Sequence, residues 1–189
     1  MADVAPELTQ ALASGLLIFA AGLFASAALH KVRTFAEFTG FVSGYRLLPE
    51  GLVRLGSGVI VAAELAAIPA ALGLIPGLAQ LPALLLLAYA GAMGVNLLRG
   101  RNDIDCGCGG TPMPISWAAV VRNLVLAAAF GWAAALPGNA FSLFSGFSGA
   151  PMLAMTVLGF ALCLGLLYAV FNQLEANHAT RRRLWEQAA

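Results

Sequence analysis

The chain has 189 residues, of which 60 % are apolar and only 10 % charged, with a net charge of +1. An ordinary soluble domain carries roughly 45–50 % apolar and about 25 % charged residues. With a mean hydropathy of +0.86, this composition all but excludes a disordered chain, a nucleic-acid binder and a cytosolic enzyme. It leaves an integral membrane protein of about one domain.

A spanning helix needs about 20 predominantly apolar residues. The first such stretch, 8–29, carries no charge between Glu7 and Lys31. Small residues at Ser26, Ala27 and Ala28 resemble a cleavage region, but Asp3 and Glu7 precede the apolar run without any Lys or Arg. A signal peptide has a basic segment there, so this reads as a retained helix. His30 and Lys31 end it, as cations that complement a helix C-terminus and the membrane interface.

The second stretch, 52–75, contains Glu64 near its middle. A carboxylate at that depth costs a few kcal/mol or is held neutral, so it faces the bundle interior and has a partner. It serves either a hydrogen bond to another helix or proton and ligand handling. The remaining stretches are 81–98, 117–136 and 151–171. Arg122 and Asn123 open the fourth, where Arg122 either snorkels to the interface or stabilises a thiolate or an anionic or quinone ligand near the cysteine loop. Cys163 in the fifth reads as a small buried hydrophobe. Pro69, Pro76, Pro82, Pro137 and Pro151 fall mostly at the ends of these runs, where a helix stops without orphaning backbone groups in lipid. The expectation is one integral membrane domain over 1–189, an all-α polytopic bundle of five transmembrane helices.

With five crossings, all the basic residues fall on one side: Lys31, Arg33, Arg46 and Arg54, then Arg99, Arg101 and Arg122, then Arg181, Arg182 and Arg183. The positive-inside rule places that side and the C-terminus in the cytoplasm and the N-terminus outside. Phe141, Phe144 and Phe147 then form an aromatic belt at the outer interface.

The segment between the third and fourth stretches reads Asp103-Ile104-Asp105-Cys106-Gly107-Cys108-Gly109-Gly110. A disulfide around a single residue is strained and easily reduced, and Gly107 and Gly109 supply the permissive backbone it needs. Such an exposed dithiol suits exchange rather than structure. Arg99, Arg101 and the start of the fourth helix favour the thiolate, while Asp103 and Asp105 oppose it. The same pair also suits a metal: zinc with Asp103, Asp105 or His30, or copper(I) on soft thiolates. The spacing leaves both chemistries open.

His30-Lys31, Phe35 and Phe38, Gly44-Tyr45-Arg46-Leu47-Leu48-Pro49, Glu64-Leu65, Ile104-Asp105-Cys106-Gly107-Cys108-Gly109, Ser116-Trp117 and Arg122-Asn123-Leu124 follow in order. This series resembles the MauE family of methylamine utilisation proteins, within the broader DoxX-like membrane group, over about 8–136. Gly110, where an aromatic residue is expected, and Ala66-Ala67, where a glycine is common, depart from the pattern.

The resemblance implies a four-helix DoxX-like core with a fifth transmembrane helix in a bacterial inner membrane, where the charge pattern makes the N-terminus periplasmic. It implies a role in maturing periplasmic methylamine dehydrogenase, whose small subunit is rich in disulfides, together with a thioredoxin-like MauD-type protein. The expected catalytic residues are Cys106 and Cys108, supported by Glu64, Arg122, Asn123, Tyr45, Arg46, Lys31 and Asp105, with no resident metal. A quinone is the acceptor if the partner is oxidised, and cytoplasmic thiols are the donor if it is reduced. The rivals are a carrier or binder of a thiophilic metal and a non-catalytic maturation scaffold. The charge pattern puts the cysteine loop in the cytoplasm while the substrate matures in the periplasm, so the bundle relays across the membrane, the pair is reachable from both sides, or the orientation is reversed.

Overall fold

The computed structural model describes residues 4–75, 77–102, 104–107, 113–136 and 151–188, and side chains throughout these except at 4–7, 179 and 182–188. Six helices appear among the described residues: α1 (Val4–Arg33), α2 (Phe35–Gly44), α3 (Glu50–Ala71), α4 (Leu81–Leu98), α5 (Trp117–Ala135) and α6 (Pro151–Ala188). Five are long and apolar enough to cross a membrane, over Leu8–Arg33, Glu50–Ala71, Leu81–Leu98, Trp117–Ala135 and Pro151–His178. The chain is therefore an all-α, multi-pass membrane protein.

The helices stop where backbone chemistry dictates. At the end of α3, Gly73 takes φ 70°, its N–H reaches Ala70 O, and Leu74 N–H reaches Pro69 O. This pair of bonds with a left-handed glycine satisfies the last carbonyls, so α3 ends at Ala71 rather than running to 75. The same device closes α4: Gly100 at φ 71°, Gly100 N–H to Leu97 O and Arg101 N–H to Asn96 O. Pro82 sits in the first turn of α4, where a missing N–H goes unnoticed. Ser116 caps α5 by accepting from Ala119 N–H.

α1, α3, α4 and α5 form a closed four-helix bundle in which α1 and α4 each pack between α3 and α5, and α6 lies outside against α1. Alanines at 20, 67, 127 and 161 let the backbones approach around Phe19, Phe24, Leu86 and Phe130. Phe19 meets Phe130 and Tyr168 edge to face, with centroids 5.9 and 6.1 Å apart. Met155, Leu166 and Leu167 of α6 are exposed, as a lipid-facing surface requires. Cys163 shares that exposure, which corrects its expected burial: α6 has one packed stripe, and Cys163 lies off it.

Between the first two expected spans, where the sequence reading placed no helix, lies α2. This ten-residue helix packs on α3 and buries Phe38. The expected aromatic belt at Phe141, Phe144 and Phe147 lies outside the described residues.

Candidate functional site

The Cys106 loop is a clip. Cys106 N–H bonds Met113 O at 2.8 Å and Ile115 N–H bonds Ile104 O at 2.9 Å, around an antiparallel bridge between Asp105 and Pro114. The Asp105 carboxylate locks this clip, since Oδ1 accepts from Gly107 N–H (2.9 Å) and Oδ2 from Met113 N–H (3.1 Å). Two short backbone bonds occupy the oxygens that were expected to oppose a thiolate. Gly107 makes the turn at φ 66° and packs beside Phe41 and Phe38 of α2. Cys106 is disulfide-bonded, and its Sγ lies 3.9 Å from Met93 Sδ of α4. Cys108, with Asp103, Gly109 and Gly110, lies outside the described residues.

Two groups tie α2 to this clip. Tyr45, just after α2, donates its hydroxyl to Cys106 O at 3.4 Å. Burial, and then the negative charge of Asp105, push the Tyr45 phenol well above its ordinary range. Arg101, just after α4, donates to Gly44 O (2.7 Å), Tyr45 O (3.3 Å) and Asn96 Oδ1 (2.9 Å). Its guanidinium thus caps the last carbonyls of α2, where the helix dipole favours a cation. Asn96 is fully buried and holds itself with Nδ2 on Ala92 O.

Beneath the clip lies a buried charge cluster. Lys31 Nζ donates to Glu64 Oε1 at 2.5 Å, and Tyr89 Oη donates to the same oxygen at 2.6 Å. Glu64 Oε2 has no hydrogen-bond partner among the described residues. The Lys31 ammonium also lies 5.2 Å from the Phe38 ring centre and 5.4 Å from that of Tyr89. Lys31 is thus turned inward rather than left at the interface, because a buried carboxylate and two ring faces are on offer there. Glu64 faces the bundle interior, as expected.

Two cavities adjoin this cluster. The smaller, 280 Å³ and nearly all apolar, is walled by Phe38, Tyr45, Met93, Cys106 and Gly107 and reaches Lys31 and Tyr89. The larger, 560 Å³, runs along α1 and α6 and reaches Lys31, Glu64, Tyr89, Asn123, Tyr168 and Asn172. Lys31 and Tyr89 face both cavities, and Glu64 faces the larger one.

The structure gathers Cys106, Tyr45, Asp105, Lys31 and Glu64 into one region. It places Arg122 elsewhere: the guanidinium bonds Asn123 Oδ1 and Asn172 Oδ1 and stacks 5.1 Å from the Tyr168 ring centre. That joins α5 to α6, with Asn123 reaching only the larger cavity. Arg46 is exposed, at a turn with φ 49°. Sequence reasoning missed Tyr89, Met93 and Asn96, and set Arg101 beside the thiolate, whereas its guanidinium is spent on Gly44 O, Tyr45 O and Asn96 Oδ1. Tyr89 and Asn96 carried a usable signal, since polar side chains inside an apolar span have a reason to be there.

The family description "Methylamine utilisation protein MauE" matches residues 9–136. The MauE of Paracoccus denitrificans is 43 % identical over 136 residues, covering 66 % of this chain and 72 % of its own. That of Paracoccus versutus is 45 % identical over 126 residues, covering 63 % and 67 %. That of Methylophilus methylotrophus is 34 % identical over 174 residues, covering 88 % and 87 %. No solved structure matches.

Proposed function

The chain belongs to the MauE family of methylamine utilisation proteins, and from that premise we propose that it is a membrane thiol–disulfide oxidoreductase acting in methylamine dehydrogenase maturation. Cys106 and Cys108 exchange with a thioredoxin-like, MauD-type partner, which in turn forms or corrects disulfides of the dehydrogenase small subunit. The observation that carries this reading is Cys106 itself: disulfide-bonded, pinned in a hydrogen-bonded clip and set over an apolar cavity.

The exchange follows ordinary sulfur chemistry. A partner thiolate attacks one sulfur of the pair, the S–S bond breaks, and the other sulfur leaves with the electron pair. The resulting mixed disulfide is resolved by the partner's second thiol, so the partner is oxidised and Cys106 and Cys108 are reduced; the reverse sequence oxidises the pair. Asp105, Tyr45 and Gly107 hold the backbone of Cys106, and Arg101 holds α2 against it.

A quinone fits as the lipid-soluble acceptor. The small cavity beside Cys106 is apolar, and Lys31, whose ammonium has N–H groups beyond the one given to Glu64, would donate to a quinone oxygen there. Bound there, it supplies a sink for two electrons.

By the positive-inside rule the clip, which follows Arg99 and Arg101 in the chain and falls on the side of Arg33, Arg46 and Arg54, lies on the cytoplasmic side. A membrane-impermeant thiol label on intact cells tests this orientation, which labelling of Cys106 or Cys108 from outside overturns. The chemistry is tested by trapping the mixed disulfide with the thioredoxin-like partner. Cys106→Ser or Cys108→Ser leaves one thiol and blocks turnover, and exchange that persists in the double serine variant sinks the proposal.

A further inference from the structure

The wall between the two cavities has chemistry of its own. Lys31 and Tyr89 show a face to each cavity, whereas Cys106 lines only the smaller and Glu64 only the larger. Lys31 is the one Lys, Arg, Asp or Glu side chain on the wall of the Cys106 cavity among the described residues. Glu64 is fully buried, yet it crowds both donors onto Oε1 and leaves Oε2 bare. A buried ion pair that serves packing alone satisfies both oxygens, since each one left bare loses a hydrogen bond that water would have given it. The bare oxygen belongs to a residue lining the larger cavity, which Asn123, Tyr168 and Asn172 also line. A cavity of that size with several polar partners holds water.

We propose that Lys31 is the acid–base group for Cys106, and that Glu64 is its positioning residue and exchanges protons with water in the larger cavity through Oε2. This rests on the thiol–disulfide reading above and adds to it the route of the proton.

The need for such a route comes from the dryness of the smaller cavity. When a partner thiolate attacks Cys108, the S–S bond breaks and Cys106 leaves with the electron pair as a thiolate, facing walls that are almost entirely apolar. A bare anion there is unfavourable by several kcal/mol. The Lys31 ammonium stabilises that anion by its charge and ends the step by giving it a proton. The Glu64 carboxylate takes a proton from water at Oε2 and passes it to the neutral amine, which restores the ion pair. The partner's sulfur is oxidised, Cys106 is reduced, and the proton that the partner lost to bulk water is matched by the one that enters through Glu64. Oxidation of the pair runs the same steps backward. The titratable groups facing this path are Lys31 from α1, Tyr45 after α2, Glu64 from α3, Tyr89 from α4 and Asp105 from the loop itself. Asp105 is committed to two backbone N–H groups, Tyr45 to a carbonyl and Tyr89 to Glu64 Oε1, and Glu64 lines only the larger cavity, which leaves Lys31 as the group that serves Cys106.

The test uses full-length protein in lipid nanodiscs and two readouts, neither of which needs the biological partner. The first is the alkylation rate of Cys106 against pH, in chemically reduced Cys108→Ser/Cys163→Ser protein. The second is the rate at which dithiothreitol reduces the intact disulfide. Lys31→Met moves the alkylation midpoint to higher pH and slows reduction at neutral pH by at least about tenfold. Lys31→Arg keeps the charge but cannot release a proton, so it holds the alkylation midpoint near that of the parent while reduction stays slow. Glu64→Gln leaves Lys31 without its proton source and slows reduction likewise. If Lys31→Met fails to fold, Lys31→Arg decides between the outcomes. Parent-like reduction by folded Lys31→Arg overturns the proposal, as does a uniform slowing in Lys31→Met with an unmoved alkylation midpoint. Failure of these readouts leaves the partner-trapping experiment free to succeed, so the two readings fall separately.

Discussion

Lys31 Nζ and Glu64 Oε1 lie 2.5 Å apart, with side chains 6 % and 0 % exposed, and join the end of α1 to the middle of α3. A charge pair this deep contributes little net stability while both partners stand, because their attraction is spent against desolvation. Losing one partner is another matter. Lys31→Met or Glu64→Leu alone strands a buried charge and is expected to destabilise the bundle by about 3–5 kcal/mol. The double variant Lys31→Met/Glu64→Leu removes both charges and recovers most of that loss. Thermal unfolding in nanodiscs, followed by tryptophan fluorescence, measures the cycle. A double variant no better than the worse single one contradicts the pairing.

Arg101 is the strut between α4 and α2. Arg101→Ala removes its bonds to Gly44 O, Tyr45 O and Asn96 Oδ1, and a lost charged hydrogen bond leaves a buried acceptor open. The expected destabilisation is about 2 kcal/mol, concentrated in α2 and the clip rather than spread over the spans. Amide hydrogen exchange should therefore rise at 35–46 and 104–107 and stay unchanged in the middle of α4. Arg101→Lys should rescue little, because one ammonium cannot reproduce the fork that holds both carbonyls and the amide.

The two helix-end residues show what could be read from the chain and what could not. The five spans were legible because nothing but lipid tolerates runs of that length and apolarity, and Glu64 stood out as a charge inside one of them. Its partner was hidden. Lys31 sits at a helix C-terminus, where the dipole already explains a cation, so pairing across the bundle left no further trace in the sequence. Tyr89 was lost for the opposite reason, as one amphipathic ring in an apolar run. α2 was illegible because its short run, Phe35-Ala-Glu-Phe-Thr-Gly-Phe-Val-Ser-Gly, is stabilised by packing on α3 rather than by propensity. The cysteine pair was legible from spacing, but the hydrogen bonds from Asp105 to Gly107 and Met113 that shape it join residues across a loop and have no periodic signature.

Tyr45 sets a limit on alkaline stability. Its phenol is pushed up by burial and by Asp105, so above about pH 10 the unfolded chain loses a proton that the native chain keeps. The native state then binds more protons than the unfolded one, and stability falls as pH rises. The contribution is fully present below about pH 10. Tyr45→Phe removes one weak 3.4 Å bond to Cys106 O and is expected to cost under about 1 kcal/mol at neutral pH. Above pH 10 it should flatten the decline. Unfolding midpoints of the parent and Tyr45→Phe, measured across that range, should converge as the pH rises; parallel curves would count against the assignment.

Gly107 separates backbone strain from crowding at the clip. Its φ of 66° lies in the left-handed region, whereas a Cβ built there meets Phe41 at 3.6 Å, an ordinary contact. The obstacle to a side chain is therefore the backbone, and Gly107→Ala is expected to cost about 1–2 kcal/mol. Asparagine visits this conformation far more readily than other residues, so Gly107→Asn should be milder than Gly107→Ala despite its larger side chain, and Gly107→Val should be the worst. Because Gly107 N–H is one of the two bonds that Asp105 accepts, the same order should appear in the rate at which dithiothreitol reduces the Cys106 disulfide, with the most strained variant reduced fastest. If asparagine proves worse than alanine in both measurements, space beside Phe41 and Phe38 decides the residue at 107, not the turn.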